Sequence, residues 1–331
     1  MTPLRTALLG CGGFAHVHAQ IALSLPEAVS LVAFSDRNDW KVRDFQAKYA
    51  PDAATFTDHH DLFNQAELDL IIIALPPYGH TDEVQLAAER GIHILIEKPI
   101  ALTSDDGWRM VEATERAGVK TQVGFMFRFG EAVERFKTMQ AAGETGAIGL
   151  MSARYFCNAL HAPWWRMREK SGGQVVEQVI HMFDLMRYFM GDPVSVYSRQ
   201  SNLFHQDVPD YTIEDVSATL VNFAYGAMGV VYATNNAIPG KWINDYRVVA
   251  QRLTADFQNA NTAVFTQTDK PDNPTISIES TRNFRQHQMM DLINAIHTNG
   301  QTRTPLSEGA KSLDLVLAAR RSSELRTEVA L

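Results

Sequence analysis

The chain has 331 residues, 45% of them hydrophobic and 21% charged, with a formal net charge of −8 at pH 7. That length predicts roughly two domains with sizeable cores, and the acidic balance argues against a nucleic-acid partner because no basic excess exists to neutralise phosphates. Two cysteines, Cys11 and Cys157, make no disulfide framework and fit a reducing compartment; no apolar run approaches the roughly 20 residues of a membrane span.

Met1 to Arg5 runs straight into a strand and leaves no room for a signal peptide, so a cytoplasmic protein is expected. Thr6 to Leu9 reads as a short apolar strand, followed by Gly10-Cys11-Gly12-Gly13-Phe14-Ala15 and a helical pattern from about Ala15 to Leu25. Strand, glycine turn and helix is the context that gives G-x-G-x-x-(G/A) its meaning. Gly10 allows the tight turn, Gly12 lets the backbone approach a pyrophosphate, and Ala15 lets the helix pack close to the sheet. The free N–H groups of the helix start then face the anion.

The next strand, Val29 to Phe34, ends in Ser35-Asp36-Arg37. An acid at Asp36 suits the ribose hydroxyls of NAD and repels a 2′-phosphate, while Arg37 beside it leaves NADP open. Lys41 to Tyr49 reads as helix, Ala54 to Phe56 as a short strand, and His59-His60-Asp61 as a solvated helix start. Leu68 to Leu75 is the most hydrophobic strand, broken by Pro76-Pro77-Tyr78-Gly79-His80 before a helix from Thr81 to Arg90. His80 stands just past a strand end, placed either to contact a cofactor or to cap the next helix.

Ile94-Leu95-Ile96 is a buried parallel strand that ends abruptly in Glu97-Lys98-Pro99. Ligands of open α/β sheets bind outside the carboxyl ends of the strands, which would stand Lys98 at such a place. A helix from Ser104 to Ala117 and a strand from Lys120 to Gly124 complete the alternation, which predicts a parallel, doubly wound sheet over residues 1–124.

The second domain, 125–331, opens with Phe125 to Gly130, a helix from Glu131 to Ala141 and a strand from Leu150 to Phe156. His161-Ala162-Pro163-Trp164-Trp165-Arg166 follows; adjacent tryptophans cannot both face a core from a regular element, so either one stacks on a sugar face, with Arg166 reading hydroxyls or a carboxylate, or both anchor the packing between domains. In the helical run Val175 to Met190, Glu177, His181 and Asp184 are spaced to share one face. Their residue types would also allow a metal, but no second ligand cluster accompanies them and none is expected. Strands are predicted at 194–199, 216–223, 228–234, 246–250, 262–266 and 275–278, forming a broad, mostly antiparallel sheet, with closing helices at 285–297 and 309–325 that could pack back toward the first domain. Helices cover one face of such a sheet, and a homodimer or homotetramer is expected to cover the other.

Taken together, the glycine turn, Asp36-Arg37, Pro76 to His80, Glu97-Lys98-Pro99 and the stretch from Ser171 to Asp184 resemble the Gfo/Idh/MocA family of nicotinamide-dependent sugar and cyclitol oxidoreductases. The resemblance implies an α/β fold, an N-terminal Rossmann dinucleotide-binding domain followed by an α+β domain with a large open sheet. It implies a cofactor set of Gly10, Gly12, Gly13, Phe14, Ala15, Asp36, Arg37, Leu75, Pro76, Pro77, His80, Glu97, Lys98 and Arg128, and a substrate set of Lys98, Arg128, Trp164, Trp165, Arg166, Glu177 and His181. Lys98, His181 and Glu177 would be catalytic, and the Lys98–Pro99 peptide cis. Glu177 stands where aspartate is common in the family and Val179 where glycine is often found. The expected reaction is hydride transfer between NAD and a secondary alcohol or ketone of a sugar, cyclitol or polyol. Lys98 would hold the developing alkoxide and His181, which titrates nearest neutrality, would take the proton. Glycoside elimination or hydrolysis with transient redox, and a cofactor-sensing regulator, are the alternatives.

Overall fold

Strands and helices alternate through the first 124 residues of the computed structural model, which describes residues 2–331. The elements are β1 (Leu4–Leu9), α1 (Gly13–Leu23), β2 (Val29–Ser35), α2 (Asp39–Tyr49), β3 (Ala54–Phe56), α3 (His59–Gln65), β4 (Leu70–Ile73), α4 (Glu83–Glu89), β5 (His93–Ile96), α5 (Ser104–Ala117) and β6 (Thr121–Val123). β4, an all-aliphatic run, is fully buried, as a central parallel strand covered on both faces must be. α5 starts at Thr103, whose hydroxyl accepts from the Asp106 N–H, and stops at Gly118 in the left-handed region.

All six strands are parallel and lie in the order β3-β2-β1-β4-β5-β6. Strand order reverses between β1 and β4, the switch point at which such sheets bind ligands. Pairing sets Leu9 beside Ile73 and Ile73 beside Ile96. Gly10, Ala74 and Glu97 therefore leave three adjacent strands at one level.

The remaining elements are α6 (Glu131–Ala141), β7 (Ile148–Phe156), α7 (Arg168–Ser171), a π-helical turn (Val175–Val179), α8 (Ile180–Met190), β8 (Ser195–Ser201), β9 (Val216–Asn222), β10 (Met228–Thr234), β11 (Tyr246–Ala250), β12 (Leu253–Asn259), β13 (Thr262–Gln267), β14 (Thr275–Ile278), α9 (Phe284–Thr298), α10 (Leu306–Leu325) and β15 (Val329–Ala330). Nine strands form one sheet, ordered β14-β13-β12-β11-β7-β10-β9-β8-β15, antiparallel except where β7 meets β10. Alternation along β7 and β10 turns Met151, Ala153, Tyr155, Val231 and Ala233 into the core, and leaves Leu150, Met228 and Tyr232 on the other face.

Two compact units result: the chain up to Gly124 with Arg285–Ala310, and Phe125–Phe284 with Lys311–Leu331. In the first unit, Met289, Leu292 and Ile293 of α9 join Leu8, Ala15 and Phe34 in one core. Edge strand β6 is completed by the same segment: the Val123 N–H donates to the Thr304 carbonyl (2.7 Å) and Gln288 Nε2 donates to the Val123 carbonyl (2.7 Å).

His59 opens helix α3, as its reading as a helix start requires, capped by the Asp58 carboxylate on the His60 N–H. Two further differences from expectation have local causes. β12 and β15 were not expected; β12 carries Asp, Gln and Asn and pairs only because β11 and β13 flank it. The run 175–190 is not one α-helix, since its first turn is π-helical. Among the described residues, no helix is long and apolar enough to cross a membrane.

Candidate functional site

In the first unit the glycine turn is built around Gly10, at φ +91°, where a Cβ would lie 2.6 Å from the Ala74 carbonyl oxygen. No side chain fits there. Asp36 braces the turn, accepting from the Cys11 N–H at one oxygen and the Asn38 N–H at the other, each at 2.9 Å. Gly12 caps α1 in extended conformation without a side-chain cap, and no acidic residue lies in the first turn. A Cβ on Gly12 or Gly13 would meet nothing within 4 Å. Ala15 is fully buried, whereas Phe14 is exposed with the Arg285 guanidinium 5.5 Å from its ring. An uncapped helix start with open space before it and a negative carboxylate at the end of β2 fits the pyrophosphate and adenosine ribose of NAD. Arg37 is exposed.

Leu75 and Pro76 are half-buried and Pro77 is buried. His80 does not cap α4: its Nδ1 lies 2.6 Å from Oε1 of Glu83, whose Oε2 accepts from the Thr81 N–H. Burial would raise the Glu83 carboxyl, but the His80 hydrogen bond and charge outweigh it and hold it below its ordinary value. The nearby groups Asp58–His59–His60 and His59–Asp82–Glu83 have metal-ligand spacing, yet hydrogen bonds among His59, Asp82, His80 and Glu83 account for them.

Glu97 is buried and pairs with His18 of α1, Nε2 to Oε1 2.7 Å. Lys98 is half-buried and the Lys98–Pro99 peptide is cis. His18 was not singled out from the sequence, although it occupies the buried face of α1 with Ala15, Ala19 and Ala22. A polar group on an apolar stripe requires a partner, and that was the available signal.

In the second unit His181 is buried, its ring 5.0 Å from that of Phe127 and 6.2 Å from that of Phe125. Glu177 lies in the π-helical turn and accepts from the Trp165 indole N–H at 2.8 Å. Asp184 instead faces Arg128, with Nε to Oδ2 at 2.8 Å and Nη2 to Oδ1 at 2.6 Å, both side chains buried. The expectation that Glu177, His181 and Asp184 share one helix face is thereby revised. It rested on continuous α-helical register, which the π turn interrupts, and the Asp184 carboxylate serves a buried ion pair. Arg128 is not a solvated arginine; the Tyr188 ring also lies 4.6 Å from its guanidinium.

Trp165 is buried with Tyr211 and Ile213, so its face is not offered to a ligand, and Trp164 is only partly buried. Arg166 donates to the carbonyls of Leu160 and His161 and so braces its own loop. His161, absent from the predicted site, has φ +53°. Its ring lies 4.4 Å from Trp165 and 5.7 Å from Trp242, and its Nε2 is 2.9 Å from Gln178 Nε2. Burial, then the Glu177 charge, push the Cys157 thiol beside it up to about 12, and burial does the same to Cys11. Neither is a reactive thiolate at neutral pH.

A family model described as oxidoreductase family, NAD-binding Rossmann fold, matches residues 4–125, and the C-terminal domain model of the same family matches 133–256. The chain belongs to the Gfo/Idh/MocA family. Gfo/Idh/MocA relatives include the myo-inositol 2-dehydrogenase of Thermotoga maritima, 27% identical over 99% of this chain and 98% of that protein. The scyllo-inositol 2-dehydrogenase (NAD(+)) of Bacillus subtilis is also 27% identical, over 71% of this chain and 68% of its own. Among solved structures, a levoglucosan dehydrogenase in complex with NADH and L-sorbose superposes with a TM-score of 0.91 at 19% identity, covering 100% of this chain and 99% of that one. The Gfo/Idh/MocA fold is thus present over the whole chain, and its Rossmann domain is the NAD-binding one.

Proposed function

We propose that the protein is an NAD-dependent dehydrogenase that transfers hydride between nicotinamide and a secondary alcohol or ketone of a sugar, cyclitol or related polyol. The observation that carries this reading is the register of β1, β4 and β5. It releases the glycine turn, the Pro76-Pro77 turn and Glu97-Lys98 at one level of the sheet. The inositol dehydrogenase relatives support the substrate class.

NAD, when bound, accepts or delivers the hydride; the chain's residues orient the alcohol and move its proton. Gly12, Gly13 and the start of α1 hold the pyrophosphate, and Asp36 stands where a 2′-phosphate would be repelled. Lys98 polarises the alcohol oxygen and holds the developing alkoxide. His181, enclosed by two phenylalanine rings, is the general base. Glu177, its direction set by the Trp165 N–H, binds a neighbouring hydroxyl. Arg128 acts from behind: its ion pair with Asp184 fixes α8 and hence His181.

The test is a thermal-shift titration with NAD(H) and NADP(H), then a screen of sugars and cyclitols for NADH formation. NAD(H) should raise the melting temperature by mass action, and Lys98→Met should lower kcat by about 10²–10⁴ with NADH affinity kept. Failure of both NAD(H) and NADP(H) to bind would overturn the reading.

A further inference from the structure

We propose that His18 and Glu97 form a buried strut by which the dinucleotide-binding helix positions Lys98. The proposal rests on the reading of Lys98 given above, but it makes a claim about the free protein that can be tested without turnover.

Three elements of the first unit converge on Glu97. The Glu97 N–H donates to the Ile73 carbonyl (2.9 Å), tying the end of β5 to β4. Beyond β6, a Cβ on Gly124 would lie 2.6 Å from Glu97 Oε2, so the carboxylate fills the space that any other residue there would need. From α1, His18 Nε2–H donates to Oε1, and His18 is itself 2% exposed. Its Nδ1 is buried and makes no hydrogen bond among the described residues, so the contact to Glu97 is what the imidazole is held for.

A buried carboxylate on a turn is costly unless hydrogen-bonded. This one stands directly before Lys98, just past the end of the same strand. With the Glu97 side chain pinned on two sides and its amide in the sheet, the backbone of Lys98 has one direction in which to leave. Pinning is done by the helix whose first turn receives the pyrophosphate, and the fingerprint residue Phe14 touches the His18 ring edge-on at 5.9 Å. His18 and Glu97 are positioning residues; neither needs to meet the substrate.

Three variants of the full-length protein test this: His18→Leu, which removes the donor; His18→Gln, which keeps an N–H donor; and Glu97→Gln. The first readout is the rate at which acetic anhydride acetylates Lys98, with acetate as leaving group, measured by mass spectrometry against the exposed Lys270. The second is kcat together with the NADH dissociation constant.

For His18→Leu we expect a severalfold change in relative Lys98 labelling. Misplacement of a reacting group by about 1 Å costs on the order of 100-fold, the loss expected in kcat, with NADH affinity within about threefold. His18→Gln should restore both readouts. Unchanged labelling and kcat in folded His18→Leu would overturn the strut. So would equal losses in the Leu and Gln variants that follow melting temperature, since that is the signature of a merely structural pair. A wild-type enzyme that oxidises no polyol defeats the dehydrogenase reading alone, because the labelling result still decides the strut.

Discussion

Trp165 gives the smallest-scale handle on the substrate site. Its indole ring is buried against His161 and its N–H donates to Glu177. Trp165→Phe keeps an aromatic ring in place and removes one donor to a carboxylate. A hydrogen bond to a charged group is worth about 1.5–3 kcal/mol, so kcat/KM for the polyol should fall by roughly 10–100-fold, mainly through KM. NADH affinity should not move. Steady-state kinetics alongside a cofactor titration check this, and an unchanged KM would remove Glu177 from the substrate contacts. Much of the first unit's glycine turn was legible because its chemistry is local: Gly10, Gly12 and Ala15 act within six residues of one another. The partners of side chains were not. Nothing in the sequence joins His18 to Glu97, 79 positions away, or Trp165 to Glu177, because those pairs are made by the fold. Adjacency of the two tryptophans told that one ring would leave the core and not which; the core claims Trp165.

At the level of elements, the turn that carries Glu177 is held by a second acid. Glu214 is fully buried; its Oε1 accepts from the Val175 N–H at 2.7 Å and its Oε2 makes no hydrogen bond among the described residues, with Arg168 Nη2 at 3.6 Å. Burial raises its carboxyl above the ordinary value, against the opposing pull of the Val175 N–H. A raised folded-state pKa means the native protein holds this proton more tightly than the unfolded chain. Its stabilising contribution is complete below the unfolded value, about 4.3, and is lost as pH rises through the folded one. Glu214→Gln keeps the acceptor for Val175 and cannot ionise. It should therefore melt higher than wild type at pH 8, with the difference closing as pH falls towards 4. Calorimetry across that range measures it, and a pH-independent difference would remove Glu214 as the cause. The helical run 175–190 was legible as helix from its apolar pattern and the Gly191 stop. Its π turn was not, because periodicity reports how often apolar residues recur and cannot show where one extra residue enters a turn.

Over the whole molecule, the nine-stranded sheet leaves Leu150, Tyr197, Met228, Tyr232 and Val249 each more than a third exposed on the face opposite the core. Apolar surface on this scale marks an interaction site. We expect self-association through it, and the double variant Leu150→Arg, Tyr232→Arg should sediment as a single chain while still binding NADH. A wild type that sediments as a single chain at micromolar concentration would defeat this. Fold class was legible throughout, since both halves carry long runs of unambiguous period. Less legible was the membership of the chain's last third. The discontinuity of the first unit has a consequence for biosynthesis. When residue 124 leaves the ribosome, β6 still lacks Thr304 and Gln288, and the core around Leu8 and Phe34 lacks Met289, Leu292 and Ile293. The nucleotide-binding half is made first and finished late. Until about 180 more residues have been translated and both α9 and Thr304 have emerged, it displays a bare sheet edge and an open apolar seat, the surfaces on which a nascent chain is held by chaperones or lost to aggregation.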